Sequence, residues 1–299
     1  MSAHRPPIPV LLDTDIGDDV DDVFALLLAA RQPDVSLLGV TTVYGDVTQR
    51  SRIARKLLRL GGHRTVPVVT GLGRTLVGRD PGAVITSGAG YAPDDEPTGA
   101  GADAGAVEFL IEQGMTSPEP PVLVAIGPLT NVGAALRQEP RLAARLRSLV
   151  VMGGQLGPDA QRGEHNVNAD PVATRLVLES GALLRIGTVE VTRQARLDAS
   201  AAERLRQSGD AACVGAASML ELYLQQMARP DTAMYDPLSL TLAYSDRFLT
   251  MRNVALQAQY ADGRVVLDAR DDAASSVAVS QAADAAAFIA HLLATILPT

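Results

Sequence analysis

The sequence predicts an α/β fold in one domain over residues 1–299, with a mostly parallel sheet and helices on both faces. Two patterns carry that expectation. Short Val-, Ile- and Leu-rich runs alternate with segments of helical periodicity. The polar clusters DTDIGDDVDD, TTVYGD, IGPLTN and MGG each follow one of those runs. Ligands of open α/β sheets bind outside the carboxyl ends of the strands, so the clusters are expected to share one rim. The 299 residues, 47% of them hydrophobic, suffice for a large core, and no composition break marks a linker.

In order along the chain, Val10 to Leu12 reads as a strand and Val23 to Ala30 as the helix after it. Ser36 to Val43 is a second strand. Ser51 to Leu60 is a helix, because Ile53, Ala54, Leu57, Leu58 and Leu60 fall on one face. Pro67 to Thr70 is a third strand, and the breaker-rich stretch from Gly88 to Gly105 is a long loop of the kind that often binds or covers ligands. Asp103 to Glu112 is a helix, Val122 to Ile126 a strand, and Thr130 to Arg137 a helix begun after Pro128. Leu149 to Met152 is a strand closed by two glycines. Asp170 and Pro171 suit the N-cap and first position of a helix over Val172 to Glu179. Leu183 to Val191 returns to strand.

The net charge is −8 and Lys56 is the only lysine, which argues against a basic nucleic-acid face. A single cysteine, Cys213, excludes an internal disulfide framework, suits a reducing cytoplasm and is expected to be a buried small hydrophobe. The N-terminus lacks a signal-peptide pattern, and no run reaches the roughly eighteen apolar residues of a membrane span. A cytoplasmic protein without membrane association is expected. His4, His63 and His291 read as surface or helix residues.

Six aspartates lie within ten residues at Asp13, Asp15, Asp18, Asp19, Asp21 and Asp22. Such crowding raises each carboxyl pKa unless positive charge sits among them. A hard cation with oxygen ligands would resolve the conflict. Asp18 reads as solvent-facing. Asp13 and Asp15 leave the strand directly and read as functional. An EF-hand fails, because Phe24 falls where the bidentate Glu belongs. An aspartyl-nucleophile phosphatase, with Asp13 attacking, is a minor alternative: Gly17 replaces the usual Thr or Val after DxD, and Lys56 is the only lysine.

The first stretch resembles the DxDxGxDD signature of the inosine-uridine-preferring nucleoside hydrolases, two residues longer before the final acidic pair. The resemblance recurs in order at TTVYGD (41–46), PLTN (128–131), VMGG (151–154), EHNVNADP (164–171) and YDPL (235–238). It implies a Rossmann-like fold and calcium-dependent hydrolysis of ribonucleosides to ribose and free base by a metal-activated water. It also implies that Asp15 is both metal ligand and general base, and that Asp22, Asp236 and the main-chain carbonyl of Thr130 complete the protein ligands of Ca²⁺. Asp21 matches the acid on the ribose 2′ hydroxyl, with Asp19 a competitor for the roles of Asp21 and Asp22. Glu164 and Asn166 match the residues gripping the ribose hydroxyls, and Met152 the thioether beside the sugar. Members are commonly homodimers or homotetramers, and the partner expected here is a small ribonucleoside.

Three positions depart from the family pattern. Tyr235 stands where a His commonly helps protonate the leaving base; a phenol with a pKa of about 10 is a feasible general acid but a poorer match to neutral pH. Asp46 replaces an Asn and is expected near Asp15 and the sugar. The Asn that contacts the 5′ hydroxyl has no clear counterpart in QLGPDAQRG. His165 takes an aromatic pocket position and is a second proton-donor candidate. Tyr91 and Arg79 are candidates to cover the base. A non-catalytic calcium-dependent riboside binder is the rival from another class.

Overall fold

The computed structural model describes residues 6–82, 85–93, 96, 105–261 and 264–298. His4 and parts of the loop and helix expected over 88–112 lie outside them. The chain begins with β1 (Ile8–Thr14), α1 (Asp21–Arg31), β2 (Val35–Thr42), α2 (Val47–Leu60) and β3 (Val68–Thr70). It continues through α3 (Gly105–Thr116), β4 (Val122–Ala125), α4 (Thr130–Gln138), α5 (Leu142–Arg145), β5 (Ser148–Met152), α6 (His165–Ala169) and α7 (Pro171–Leu178). Then come β6 (Leu184–Gly187), α8 (Val189–Thr192), β7 (Arg196–Asp198), α9 (Ala199–Gln207), α10 (Ala211–Gln226), β8 (Asp231–Ala233) and α11 (Tyr235–Leu240). The last elements are β9 (Leu249–Ala261), β10 (Arg264–Asp271), β11 (Val277–Ala283) and α12 (Ala285–Ile296).

Among the described residues the main sheet has nine strands in the order β3-β2-β1-β4-β5-β6-β11-β9-β10. Every pairing from β3 to β11 is parallel, and β9 and β10 add antiparallel strands at one edge. Because β1 lies between β2 and β4, the strand order reverses there, and such a switch point opens a crevice beyond the carboxyl ends.

Side-chain alternation divides the core between the two faces. Val10 and Leu12 of β1 and Val122 and Val124 of β4 join the apolar cluster that includes α1, α10 and α12. Leu11, Leu123 and Ala125 face the cluster that includes α4 and α7. Helix α1 is apolar around most of its circumference after Asp22, which suits a helix packed against the sheet and against α2, α10, α11 and α12.

Most elements fall where the pattern predicts. Asp170 caps α7 by accepting from Ala173 N–H at 3.1 Å, with Pro171 in the first turn. Cys213 is buried, with Sγ 3.1 Å from the Ile296 carbonyl. His291 lies on α12 between Gln32 and Tyr244. The strand expected through Val191 stops at Gly187. Its next residue, Thr188, starts a helical turn whose carbonyl accepts from Thr192, and the Ser239 side chain fills the place a Cβ on Gly187 would need. No helix among the described residues is long and apolar enough to cross a membrane.

Candidate active site

The six aspartates sit where β1 enters the crevice, and the structure gives them different partners. Asp13 is fully buried and accepts from Asn131 Nδ2 at 2.7 Å and from the Thr41 hydroxyl, so it ties β1 to β2 and α4. Burial pushes its carboxyl up to about 7. Gly17 follows with φ +114°, a conformation that lets the chain turn toward α1 without the strain a Cβ would bring.

Asp15, Asp21, Asp22 and Asp236 line one cavity of about 540 Å³. One carboxylate oxygen from each of Asp21, Asp22 and Asp236 lies within 4.8 Å of the other two, and all three residues are buried. The Asp236 N–H donates to Asp21 Oδ2 at 3.1 Å, and the Thr14 hydroxyl donates to Asp22. Burial first, then neighbouring carboxylates, raises these groups: Asp21 to about 8, and Asp22 and Asp236 well above the usual range. Burial lifts Asp15 to about 6, against the pull of Arg50 and His165. Buried oxygen donors this close, with Asp15 electrostatically tied to Asp22 and Asp236, form a donor set suited to a hard divalent cation.

Asp18 departs from its expected solvent-facing role. Arg50 is only 1% exposed, and its Nη2 pairs with Asp18 Oδ2 at 2.8 Å. A guanidinium so buried requires acceptors all round. Arg50 also finds the carbonyls of Tyr44 at 2.6 Å, Ile16 at 3.2 Å and Asp15. Tyr44, held in this way, has φ +72°, a strained value for a residue with a side chain. Its ring lines the cavity and meets the His165 ring edge-on at 5.5 Å between centroids.

On the β5 side, Asn166 Nδ2 donates to the carbonyls of Ile126 at 2.9 Å and Met152 at 3.2 Å. Its carbonyl oxygen is thus the group left to accept from a ligand. Glu164 caps α6, taking the N–H groups of Asn166 and Val167 at 2.9 and 3.0 Å, and also that of Gly154. Met152, Glu164, His165, Asn166 and Tyr235 all line the cavity. The hairpin of β9 and β10 supports this wall: Val265 and Leu267 pack on Val167, and Val265 N–H donates to Asn168 at 2.6 Å.

Two predicted site residues stand outside that lining. Asp46 is the N-cap of α2, accepting from Gln49 N–H at 2.9 Å on an exposed surface, which corrects its expected place beside Asp15 and the sugar. The chain turns at Gly45, φ +69°, and α2 begins at once, so the helix end claims the carboxylate. Thr130 is buried and its hydroxyl donates to Asp170 Oδ2 at 3.0 Å rather than capping α4. Tyr91 is also away from the cavity, under Lys56 and against Gly215 of α10. Sequence reasoning missed Tyr223, which lines the cavity from α10, and Arg50, which reads as an ordinary helix-surface cation.

Gly127 leaves Asp15 the room it occupies. A Cβ there would lie 2.7 Å from Asp15 Oδ1 and 2.9 Å from its backbone nitrogen. Gly127→Ala is expected to displace Asp15 and lower kcat/KM by about 100-fold. The cost in stability should be about 1–3 kcal/mol, read by steady-state kinetics and denaturant melts.

A doubly wound sheet with a buried carboxylate cluster in a cavity at its switch point defines a protein with a small-molecule site suited to a hard cation. The model of the inosine-uridine preferring nucleoside hydrolases matches residues 10–290. The chain is 30% identical over 280 residues to the pyrimidine-specific ribonucleoside hydrolase RihA of Citrobacter koseri, covering 87% of this chain and 88% of that one. It is 29% identical over 262 residues to the probable uridine nucleosidase 1 of Oryza sativa, covering 83% and 80%. The solved purine-preferring ribonucleoside hydrolase from Gardnerella vaginalis superposes with TM-score 0.85 at 25% identity, over 96% of this chain and 98% of that chain. The protein belongs to the inosine-uridine preferring nucleoside hydrolase family, glycosidases that hydrolyse the N-glycosidic bond of nucleosides.

Proposed function

We propose that the protein is a calcium-dependent ribonucleoside hydrolase with Asp15 as general base. The observation that carries this reading is the buried trio Asp21, Asp22 and Asp236, within 4.8 Å of one another in the cavity of a chain from this family. Asp15, Asp22, Asp236 and the Thr130 carbonyl would hold Ca²⁺, with Asp21 beside them directed to a ribose hydroxyl. The cation, when bound, neutralises the acid cluster and acidifies a water at the site.

The remaining steps belong to the side chains. Asp15, ionised beside the cation, is placed to take a proton from the attacking water. Asn166 offers its carbonyl oxygen to a sugar hydroxyl, and Glu164 can accept another through lone pairs its cap bonds leave free. The departing base leaves a ribosyl group with oxocarbenium character, and the surrounding carboxylates stabilise that positive charge without reorganising. Tyr235 is the proton donor proposed for the base. Burial, then Asp21 and Asp19, raise its pKa, so it stays protonated through the neutral range. His165 is the second donor.

The relatives differ in the base they act on, so the test spans both classes. Purine and pyrimidine ribonucleosides are incubated with the protein, and reducing sugar is measured with calcium, with chelator, and after calcium is restored. Ribose release that follows calcium supports the reading. Saturable riboside binding in calorimetry without any release would identify a binder instead. A homodimer or homotetramer is part of the same proposal, checked by light scattering.

A further inference from the structure

We propose that Asp19 is a positioning residue that acts on the bound nucleoside through Tyr223. The inference rests on the riboside-hydrolase reading of the cavity. Asp19 belongs to the two-residue extension between Gly17 and the final acidic pair, and it is absent from the trio of clustered carboxylates. Its partner comes from 204 residues away: the Tyr223 hydroxyl donates to Asp19 Oδ1 at 2.6 Å. A bond this short to a carboxylate is of the stronger, charge-assisted kind.

The loop that carries Asp19 is itself fixed. Ser87 Oγ donates to the Asp19 carbonyl at 3.1 Å. The N–H groups of Ser87 and Gly88 donate to the carbonyls of Asp18 and Gly17 at 3.1 and 3.0 Å. Asp19 thus joins three separate segments at the cavity: the turn after β1, residues 87–88, and α10. Tyr223 is 3% exposed, yet it lines the cavity together with Met227, one helical turn further on.

Two consequences follow for the wall that α10 presents. The rotation and depth of Tyr223 are set by Asp19, with the Thr232 hydroxyl as a second partner of the phenol, and Met227 follows as part of the same helical face. The phenolic hydrogen is spent on the carboxylate and the phenol oxygen also takes a bond from Thr232, so Tyr223 has no hydrogen left to donate to a nucleoside. It shapes the wall, and proton donation to the leaving base falls to Tyr235.

The test is a double-mutant cycle on kcat and KM for the best ribonucleoside, with Asp19→Ala, Asp19→Asn, Tyr223→Phe and Asp19→Ala/Tyr223→Phe, alongside calcium affinity by calorimetry. Loss of one hydrogen bond to a charged group predicts that Asp19→Ala raises KM about tenfold and leaves kcat within about threefold. Calcium affinity is expected to change by less than about tenfold, below the roughly 10- to 100-fold cost of losing a group that holds a metal ligand. Asp19→Asn, whose amide oxygen still accepts from the phenol, should recover most of the KM. In the Tyr223→Phe background Asp19→Ala should add little. Additive effects would assign Asp19 a direct substrate contact, and tenfold weaker calcium binding would make it a ligand; either outcome, or an unchanged KM in Asp19→Ala, overturns the proposal. A wild type without turnover defeats the activity reading by itself. The same cycle is then read on riboside affinity by calorimetry, where additivity or absence of effect overturns the positioning role.

Discussion

Asp15→Asn is expected to lower kcat by about 10²- to 10⁴-fold, the range general acid–base catalysis contributes. The amide keeps the shape of the carboxylate but cannot take a proton from water, and it is a poorer partner for a hard cation. In stability the sign is opposite. Burial first, and then the charges of Asp18 and Asp19, oppose ionisation of wild-type Asp15, so the metal-free variant should melt no lower than wild type at pH 8. Kinetics at saturating calcium and nucleoside, together with melts in chelator, check both halves. A kcat within threefold of wild type would remove Asp15 as the base. A large kcat loss that excess calcium fully reverses would make it a ligand alone.

This opposition between activity and stability explains what was legible in the sequence and what was not. The acid-rich turn is visible because it violates local rules: six carboxylates crowded behind a strand repel one another unless each finds a partner. The parallel core from β1 to β6 is legible because buried strands write continuous apolar runs. Which aspartate does what is another matter, since the partners that separate their roles are remote. Asp18 is claimed by Arg50, which looks on α2 like any exposed helix cation, and Asp19 is claimed by Tyr223 on α10, which has no motif around it. Asp46 shows the reverse error: a motif position suggested the cavity, while the adjacent helix end supplied a stronger local use for its carboxylate. The C-terminal hairpin escaped notice because β9 and β10 carry polar and small residues between their buried positions, as in RVVLDARD, and only contact with Val167 reveals their bearing on the site.

Removing calcium should abolish ribose release, and it should also reverse how stability responds to pH. In the cation-free protein the folded-state values are about 7 for Asp13, 6 for Asp15 and 8 for Asp21, with Asp22 and Asp236 higher than usual, whereas an unfolded Asp titrates near 3.9. Between about pH 4 and pH 8 the folded chain therefore holds protons that the unfolded chain has released. Stability falls with rising pH wherever the native state binds more protons, so the melting temperature in chelator should decline across that window. A cation prefers the deprotonated cluster, so the gain from calcium should grow toward pH 8; at a concentration 100 times its Kd it amounts to about 2.7 kcal/mol. Repulsion from the overall charge of −8 would also lower stability as pH rises, and variants separate the two causes. Asp22→Asn and Asp236→Asn should flatten the pH slope in chelator and abolish the calcium-dependent gain, while neutralising an exposed acid such as Glu112 should leave both intact. Melts across pH 4.5–8 with chelator and with calcium decide it: a metal-free melting temperature that is flat or rising over that range would mean that these carboxyls are not held protonated by burial and by one another.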